Sequence, residues 1–142
     1  VGLHQRPAAH LALRERAAAR GATVLARLDA VVATRSKRQP GAVEAALRGL
    51  LADLGPVAPG ALAVSAATGV AGVTAEEAAA LATLPQARRV ATGDLLGHAV
   101  EAAFPVSVAL AAAALSKGQA REAVVTGAGH WRGEGAAHLV AP

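Results

Sequence analysis

Short apolar runs and longer amphipathic runs alternate along the chain, with glycine and proline between them. The alternation predicts strand, helix, strand, helix, strand, helix, strand and strand, in that order. The predicted strands cover residues 23–32, 62–65, 88–91, 123–126 and 137–140, and the predicted helices cover residues 43–54, about 75–84 and 97–117. This order favours an α/β fold in which helices cover a mixed or parallel sheet. We expect residues 1–10 to be a loose lead-in and residues 11–142 to form one domain.

Two of the predicted helices carry specific signals. Thr74 and Glu77 have the spacing of a capping box, in which each side chain satisfies a free backbone N–H group, so a helix is expected to begin near Ala75. The predicted helix 97–117 is rich in alanine and is apolar on nearly every side between residues 102 and 115. A helix of that kind is buried on all sides. One domain of this size is not expected to cover it completely, which predicts a partner rather than a free monomer.

The composition narrows the classes of function. The net charge is +4, and eight of the fourteen Lys and Arg residues lie within residues 1–40. No aromatic side chain stands among these basic residues to stack on bases, so nucleic-acid binding is not expected. Cysteine is absent, which excludes a disulfide, a thiolate zinc site and a cysteine nucleophile within this chain. His130, Glu134 and His138 lack a fourth ligand nearby in sequence, so neither a metal site nor a cofactor is predicted.

The chain shows no sign of a membrane segment. Its longest apolar run, residues 102–115, is shorter than the ~20 residues that a spanning helix needs. The first residues, Val1-Gly2-Leu3-His4, lack the apolar core of a signal peptide. We therefore expect a soluble, cytoplasmic protein that does not bind a membrane.

Three signals in fixed order resemble the C-terminal half of the β-ketoacyl-ACP synthases, which belong to the thiolase superfamily. Residues 66–70, followed by Thr74 and by residues 77–81, lie over the family pattern His-Gly-Thr-Gly-Thr, Asp and Glu-x-x-Ala-Leu. Residues 92–98, ending in Leu96-Gly97-His98, lie over Lys-Ser-x-x-Gly-His. Residues 124–140 lie over the family's final strand, glycine-rich loop and strand. The resemblance implies a thiolase-like layered fold with a buried alanine-rich helix.

The departures from the family pattern concern its catalytic positions. Active members use two histidines to polarise the thioester carbonyl and a lysine to shape the electrostatics of the site. Here Ala66 occupies the first histidine position and Gly93 occupies the lysine position. Loss of one donor to a developing oxyanion typically costs about 10²–10³ in rate. The family's cysteine belongs to the N-terminal half, which this chain does not contain, so no acyl-enzyme is expected.

His98 is the one catalytic position that matches the family. In one interpretation it polarises a carbonyl from the N-terminus of the long helix. In the other it is a structural histidine, hydrogen-bonded for example to Asp94. Phe104 and Trp131, the only large aromatic residues, are candidate substrate-binding residues. Phe104 could fill space near the acyl pocket or simply plug the core, and Trp131 lies in the loop where the family has a phenylalanine.

Three functions follow from these observations. The first is a degenerate synthase half, similar to a chain-length factor, that pairs with a ketosynthase half or subunit and with an acyl carrier protein in fatty-acid or polyketide biosynthesis, as a hetero- or homodimer. The second is a divergent acyltransferase of the thiolase superfamily, completed by a second chain that supplies the cysteine. The third is an α/β binding module unrelated to acyl chemistry.

Overall fold

The computed structural model describes residues 15–84 and 86–142, so the predicted lead-in at residues 1–10 lies outside the described residues. Five strands form a mixed sheet in the order β1-β5-β4-β2-β3. The strands are β1 (Arg27–Thr34), β2 (Leu62–Ser65), β3 (Arg88–Ala91), β4 (Glu122–Ala128) and β5 (Glu134–Val140). Residues 15–19 are helical, and the helices that follow them are α1 (Ala42–Leu54), α2 (Ala71–Leu81), α3 (Gly93–Leu96) and α4 (Ala103–Ser116). A 3₁₀ turn (Val100–Ala102) precedes α4. The predicted α/β fold class is confirmed.

The strand directions bring several loops to one edge of the sheet. β2 runs parallel to its two neighbours, β3 and β4, whereas β5 runs antiparallel to β4 and β1. The carboxyl ends of β1, β2, β3 and β4 therefore lie at the same edge, together with the beginning of β5. We call this the carboxyl edge. The loops that leave it are neighbours in space although they are far apart in sequence.

Helices cover both faces of the sheet. On one face, Ala111 and Leu115 of α4 pack against Val125 and its neighbours in one buried cluster. On the other face, Val43 and Leu47 of α1 join residues of α2 and of the sheet in a second cluster. Alternate residues of a strand point to opposite faces, so β1, β4 and β5 contribute to both clusters, whereas β2 and β3 contribute only to the first.

The first strand begins later than predicted. Val24 and Leu25 are 57% and 46% exposed, and pairing starts only at Arg27, which lies opposite Val140. β5 is the only neighbour of β1 among the described strands, and it ends at Val140. The apolar run that begins at residue 23 therefore extends beyond the strand that could pair with it.

The capping box predicted at Thr74 is wrong. α2 begins at Ala71, three residues before Thr74, whose backbone N–H donates to the carbonyl of Val70 over 2.8 Å. Glu77 does not reach back to the helix start. Its carboxylate turns into the sheet and accepts a hydrogen bond of 2.7 Å from the hydroxyl of Thr126. Burial against the sheet therefore determines the direction of the Glu77 side chain.

The neighbouring residue, Glu76, caps a different helix. Its carboxylate accepts hydrogen bonds from the backbone N–H groups of Gly41, Val43 and Glu44 over 2.8–3.2 Å. These three donors belong to the first turn of α1 or directly precede it. Their hydrogen bonds, first among them that of Gly41, lower the pKa of Glu76. The contact joins the N-terminus of α1 to α2.

The long helix predicted over residues 97–117 is interrupted. Gly97 and Val100 have positive φ angles of 69° and 51°, which no right-handed helix can include. α4 therefore begins only at Ala103, with Pro105 in its first turn, where proline is tolerated. Its fully buried residues are Ser107, Ala111 and Leu115, so one side of α4 stays uncovered. Among the described residues, no helix is long and apolar enough to span a bilayer.

Candidate functional site

The residues aligned with the family's catalytic positions converge at the carboxyl edge. Ala66 follows β2 directly, Gly93 follows β3, and the loop 129–133 connects β4 to β5. In α/β sheets, ligands bind in the crevice outside the carboxyl ends of parallel strands. The fold therefore places the candidate site where a sheet of this kind would carry one.

Ala66 is packed into the sheet. It is 4% exposed, and its backbone N–H donates to the carbonyl of Thr126 over 2.9 Å. Its methyl group lies 3.4 Å from the point where a side chain on Gly127 would begin. A methyl group has no donor for an oxyanion.

Gly93 is held even more closely. A Cβ atom at this position would lie 2.8 Å from the backbone carbonyl oxygen of Ala67. Contacts below 3.0 Å are essentially absent for real side chains, and a backbone carbonyl cannot swing aside as a flexible side chain can. The loop after β2 therefore occupies the space in which the family's lysine would start.

His98 is exposed and lies in the connection between α3 and the 3₁₀ turn. α4 begins five residues later, so His98 is not at the N-terminus of that helix. Within residues 15–84 and 86–142, its side chain forms no hydrogen bond, and Asp94 is exposed as well. The hydrogen bond to Asp94 that the structural interpretation anticipates is therefore not formed. A carbonyl-polarising role of His98 stays a prediction.

Phe104 lies over two glycines of the sheet. Its ring is 3.0 Å from a Cβ atom placed on Gly127 and 3.7 Å from one placed on Gly135. These glycines are direct cross-strand partners in β4 and β5. The half-buried ring therefore fills the space next to Ala66 that the absence of two side chains leaves open. The two interpretations of Phe104, as a residue that fills space near an acyl pocket and as a core plug, therefore refer to the same space above Gly127 and Gly135.

Trp131 stands apart from this packed region. It is 78% exposed at the tip of the loop 129–133, and the ring of His130 meets it edge-on with centroids 4.5 Å apart. The loop is tight, because the backbone N–H of Gly129 donates to the carbonyl of Gly133 over 2.8 Å. The structure therefore separates Phe104 and Trp131, the two aromatic residues that the sequence suggested for substrate binding.

The three residues considered as metal ligands also stay apart. Glu134 points into the protein, whereas His138 lies 3.4 Å from a carboxylate oxygen of Glu122 and 3.7 Å from one of Asp29. Across the described parts of the chain, no group of three His, Asp or Glu side chains is arranged to hold a metal ion.

A buried polar network beneath the carboxyl edge was missed by the sequence analysis. The hydroxyl of Thr92 lies 2.8 Å from that of Ser107 and also donates to the carbonyl of Ser65. On the opposite face of the sheet, burial raises the pKa of Glu77, although the hydrogen bond from Thr126 acts against this rise. The sequence did contain one signal for this network, namely small polar residues at the ends of apolar strands.

A second buried cluster holds the turn after β1. The Glu134 side chain is fully buried and accepts hydrogen bonds from the Ser36 backbone N–H (3.0 Å), the Ser36 hydroxyl (2.8 Å) and the guanidinium of Arg38. Arg38 also donates to the carbonyl of Gly129. The ion pair therefore fixes the basic turn to the loop between β4 and β5. In the sequence, Arg38 is only one of the eight basic residues within residues 1–40.

Solved structures share this layered α/β arrangement. The chain is similar to AntDE:AntF, a type II polyketide-synthase acyl-carrier protein in complex with its ketosynthase bound to the hexaketide, with 15% identity and a TM-score of 0.70 over 91% of this chain and 37% of that one. It is also similar to the ishigamide ketosynthase/chain length factor, with 18% identity and a TM-score of 0.71 over 90% of this chain and 41% of that one.

These likenesses define the fold as thiolase-like and of the ketosynthase type. This chain spans about two fifths of the length of each of those chains. No protein-family model matches the sequence, and no curated protein matches it.

Proposed function

We propose that this chain is a non-catalytic, ketosynthase-like domain that acts as the partner of a condensing enzyme in polyketide or fatty-acid biosynthesis. The observation that carries the proposal is the closed space at Gly93, where the carbonyl of Ala67 excludes any side chain. The close packing at Gly93 therefore excludes the family's lysine, and Ala66 offers only a methyl group in place of the family's first histidine. A thiolase-like fold without these groups and without a cysteine has no means of forming an acyl-enzyme.

The surface around α4 supports the partner role. Four large apolar side chains of α4 and of the segment before it are 40–69% exposed: Leu95, Leu96, Val100 and Leu110. A groove of about 190 Å³ lies beside them, between α4 and the edge strand β3, and Leu62, Val64 and Val90 line its floor. Leu95 and Leu110 line the groove themselves, and exposed apolar side chains around an apolar groove are typical of an interface. We infer that a second ketosynthase-type half or subunit covers it, and that an acyl carrier protein serves the resulting complex.

Two measurements test the proposal. Intact-mass spectrometry after incubation with an acyl thioester should show no covalent adduct on this chain, and a stable adduct would refute the non-catalytic role. Sedimentation at micromolar concentration, alone and with a type II ketosynthase, should show association. Leu110→Glu should weaken the association, while Ala45→Glu, on the exposed face of α1, should not. A compact monomer that binds neither ketosynthase nor a hydrophobic dye would favour the unrelated binding module.

His98 supports the alternative of a divergent acyltransferase completed by a second chain. Its imidazole is exposed near the carboxyl edge and is not held by another described side chain. In that case a mixture with a cysteine-bearing partner should transfer acyl groups, and His98→Ala should reduce the rate by about 10²-fold or more. If the rate of the mixture does not depend on His98, the partner alone is the catalyst.

A further inference from the structure

The segment between β3 and α4 is exposed along its whole length. None of residues 94–102, which include most of α3 and the 3₁₀ turn, is buried. Its apolar side chains Leu95, Leu96 and Val100 are 69%, 58% and 57% exposed. Its backbone hydrogen bonds are local, since the N–H groups of Leu95 and Leu96 donate to the carbonyl of Thr92. We call residues 94–102 the strap.

The two ends of the strap, in contrast, are fixed. Thr92 and Ser107 are buried on either side of it, and their hydroxyl groups share a hydrogen bond of 2.8 Å. Gly93 lies against the backbone carbonyl of Ala67. A surface loop that has few buried contacts and is held at its base can change conformation without unfolding the sheet.

The backbone of the strap is strained at one position. Val100 has a φ angle of 51° and is the only residue other than glycine with a positive φ in the part of the chain that the structure describes. A β-branched residue rarely adopts this region, and the strain persists only where the surrounding structure holds it. Because the Val100 side chain is largely exposed, few contacts hold it there. A second conformation, in which Val100 leaves the left-handed region, is therefore accessible.

The groove beside α4 offers space for the apolar side chains of the strap. Leu95 already forms part of its wall, together with Leu110 of α4. The volume of about 190 Å³ leaves room for further apolar atoms, and Leu110 is 40% exposed. Moving Leu95 and Leu96 into the groove would remove apolar surface of both the strap and α4 from water.

We propose that the strap is a movable lid on this groove. In the structure the lid is open. In the closed conformation Val100 leaves the left-handed region, and Leu95 and Leu96 fill the groove. The relief of backbone strain and the burial of apolar surface both favour closure.

The lid would control access to the surface around α4. The closed strap occupies the groove that the proposed function assigns to a ketosynthase-type partner, so closure and pairing exclude each other. This consequence rests on the proposed function, whereas the movement of the lid does not. The movement can therefore be measured in the free chain.

Thiol labelling of Leu96→Cys follows the lid, because the chain has no other cysteine. A maleimide reacts with this thiol only while the strap is open. The control is Ala45→Cys on the exposed face of α1, and each rate is divided by that of the same variant unfolded in urea. We expect Leu96→Cys to react at least about threefold more slowly than the control, since the closed fraction does not react.

Substitutions of Val100 test the role of strain. Val100→Gly, added to Leu96→Cys, should keep the lid open, because glycine adopts a positive φ without strain. Its labelling rate should approach that of the Ala45→Cys control. Val100→Ile keeps the β-branch and should label as Leu96→Cys alone does. Circular dichroism verifies that all variants are folded.

A larger side chain in the groove tests where the lid closes. Ala114 lines the groove, so Ala114→Phe should prevent closure and speed the labelling of Leu96→Cys. The matched control is Ala109→Phe, at an exposed position of the same helix, which should leave the rate unchanged. If Ala114→Phe does not fold, the smaller change Ala114→Leu replaces it.

Three results would overturn the inference. They are equal rates for Leu96→Cys and Ala45→Cys, equal effects of Val100→Gly and Val100→Ile, and equal effects of the substitutions at Ala114 and Ala109. None of these measurements needs a partner. Failure to pair with a ketosynthase would refute the proposed function and leave the lid standing, whereas pairing without any protection of Leu96→Cys in the free chain would refute the lid alone.

Discussion

The carbonyl oxygen of Ala67 would lie 2.8 Å from a Cβ atom on Gly93. The loop after β2 and the first residue of α3 therefore touch backbone to backbone, which only glycine allows in this arrangement. In the family that the sequence resembles, this position carries a lysine. Reinstating the lysine would first have to move the loop.

Gly93→Ala should destabilise the fold for this reason. We expect a loss of about 1–3 kcal/mol in the free energy of unfolding, as is typical for overpacking. The matched control is Gly49→Ala in the exposed middle of α1, where a Cβ atom meets nothing and helix propensity should add about 1 kcal/mol. Urea unfolding followed by circular dichroism measures both. A neutral Gly93→Ala would contradict the closed packing and weaken the proposed function.

Phe104 and Gly127 should be energetically coupled. Phe104→Ala removes a half-buried ring from the sheet and should cost about 2–3 kcal/mol. Gly127→Ala brings a methyl group to 3.0 Å from that ring and should also destabilise the wild type. In the Phe104→Ala background the same methyl group finds space, so the double mutant should be more stable than the sum of the two losses predicts. Additive losses would show that the ring does not occupy this space.

The Glu134–Arg38 pair should be more important for stability than an exposed pair. Glu134→Gln leaves a largely buried guanidinium without its counter-charge and should cost about 2–3 kcal/mol, somewhat less than for a completely buried pair. Glu44→Gln removes the partner of Arg48 at the surface of α1 and should change stability by less than about 1 kcal/mol. Similar effects of the two substitutions in urea unfolding would refute the anchoring role of Glu134.

Adjacent glutamates should give opposite pH dependences. Burial raises the folded-state pKa of Glu77, so its contribution to stability is fully present below the unfolded pKa and is lost as the pH rises through the folded pKa. The pKa of Glu76 is lowered, so its contribution is present above the unfolded pKa and is lost as the pH falls through the folded pKa. Each residue can thus serve as the control for the other.

Glutamine variants measure these contributions. As the pH rises from about 4 to 7, the stability of Glu77→Gln should increase relative to that of the wild type. Over the same range Glu76→Gln should lose stability relative to the wild type as the pH rises. Urea midpoints at several pH values give both differences. Parallel pH profiles of the two variants would contradict the environments described for the two carboxyl groups.

The parts of the fold that the sequence predicted well are short and locally defined. β2 and β3 have the predicted bounds: β2 is a compact apolar run that follows Pro59-Gly60, and β3 is a four-residue segment that ends before Thr92-Gly93. The start of α2 was wrong because the Glu77 side chain is directed by Thr126, 49 residues away. The break before α4 was missed because Val100 adopts a backbone conformation that β-branched residues rarely take.

The sequence also predicted part of the candidate site. The alignment with the family brought Ala66, Gly93 and Phe104 to one region, and the structure places them at one edge of the sheet. The Glu134–Arg38 pair could not be foreseen, because it depends on the antiparallel register that sets Thr34 opposite Glu134. Nor could spacing along the chain show that this pair holds the turn next to Trp131.

The pairing of β1 with β5 also has a consequence for the order of synthesis. Arg27 lies opposite Val140, so among the described strands the first to leave the ribosome finds its partner only when the last one emerges. Until then the backbone of β1 is unpaired. Its pairing with β5 closes a loop of about one hundred residues, which is expected to be slow. β2, β3 and α2 can assemble earlier, since their partners are closer in sequence. A chain stalled before Glu134 should therefore contain a partly formed sheet and a protease-sensitive segment upstream of Ala42.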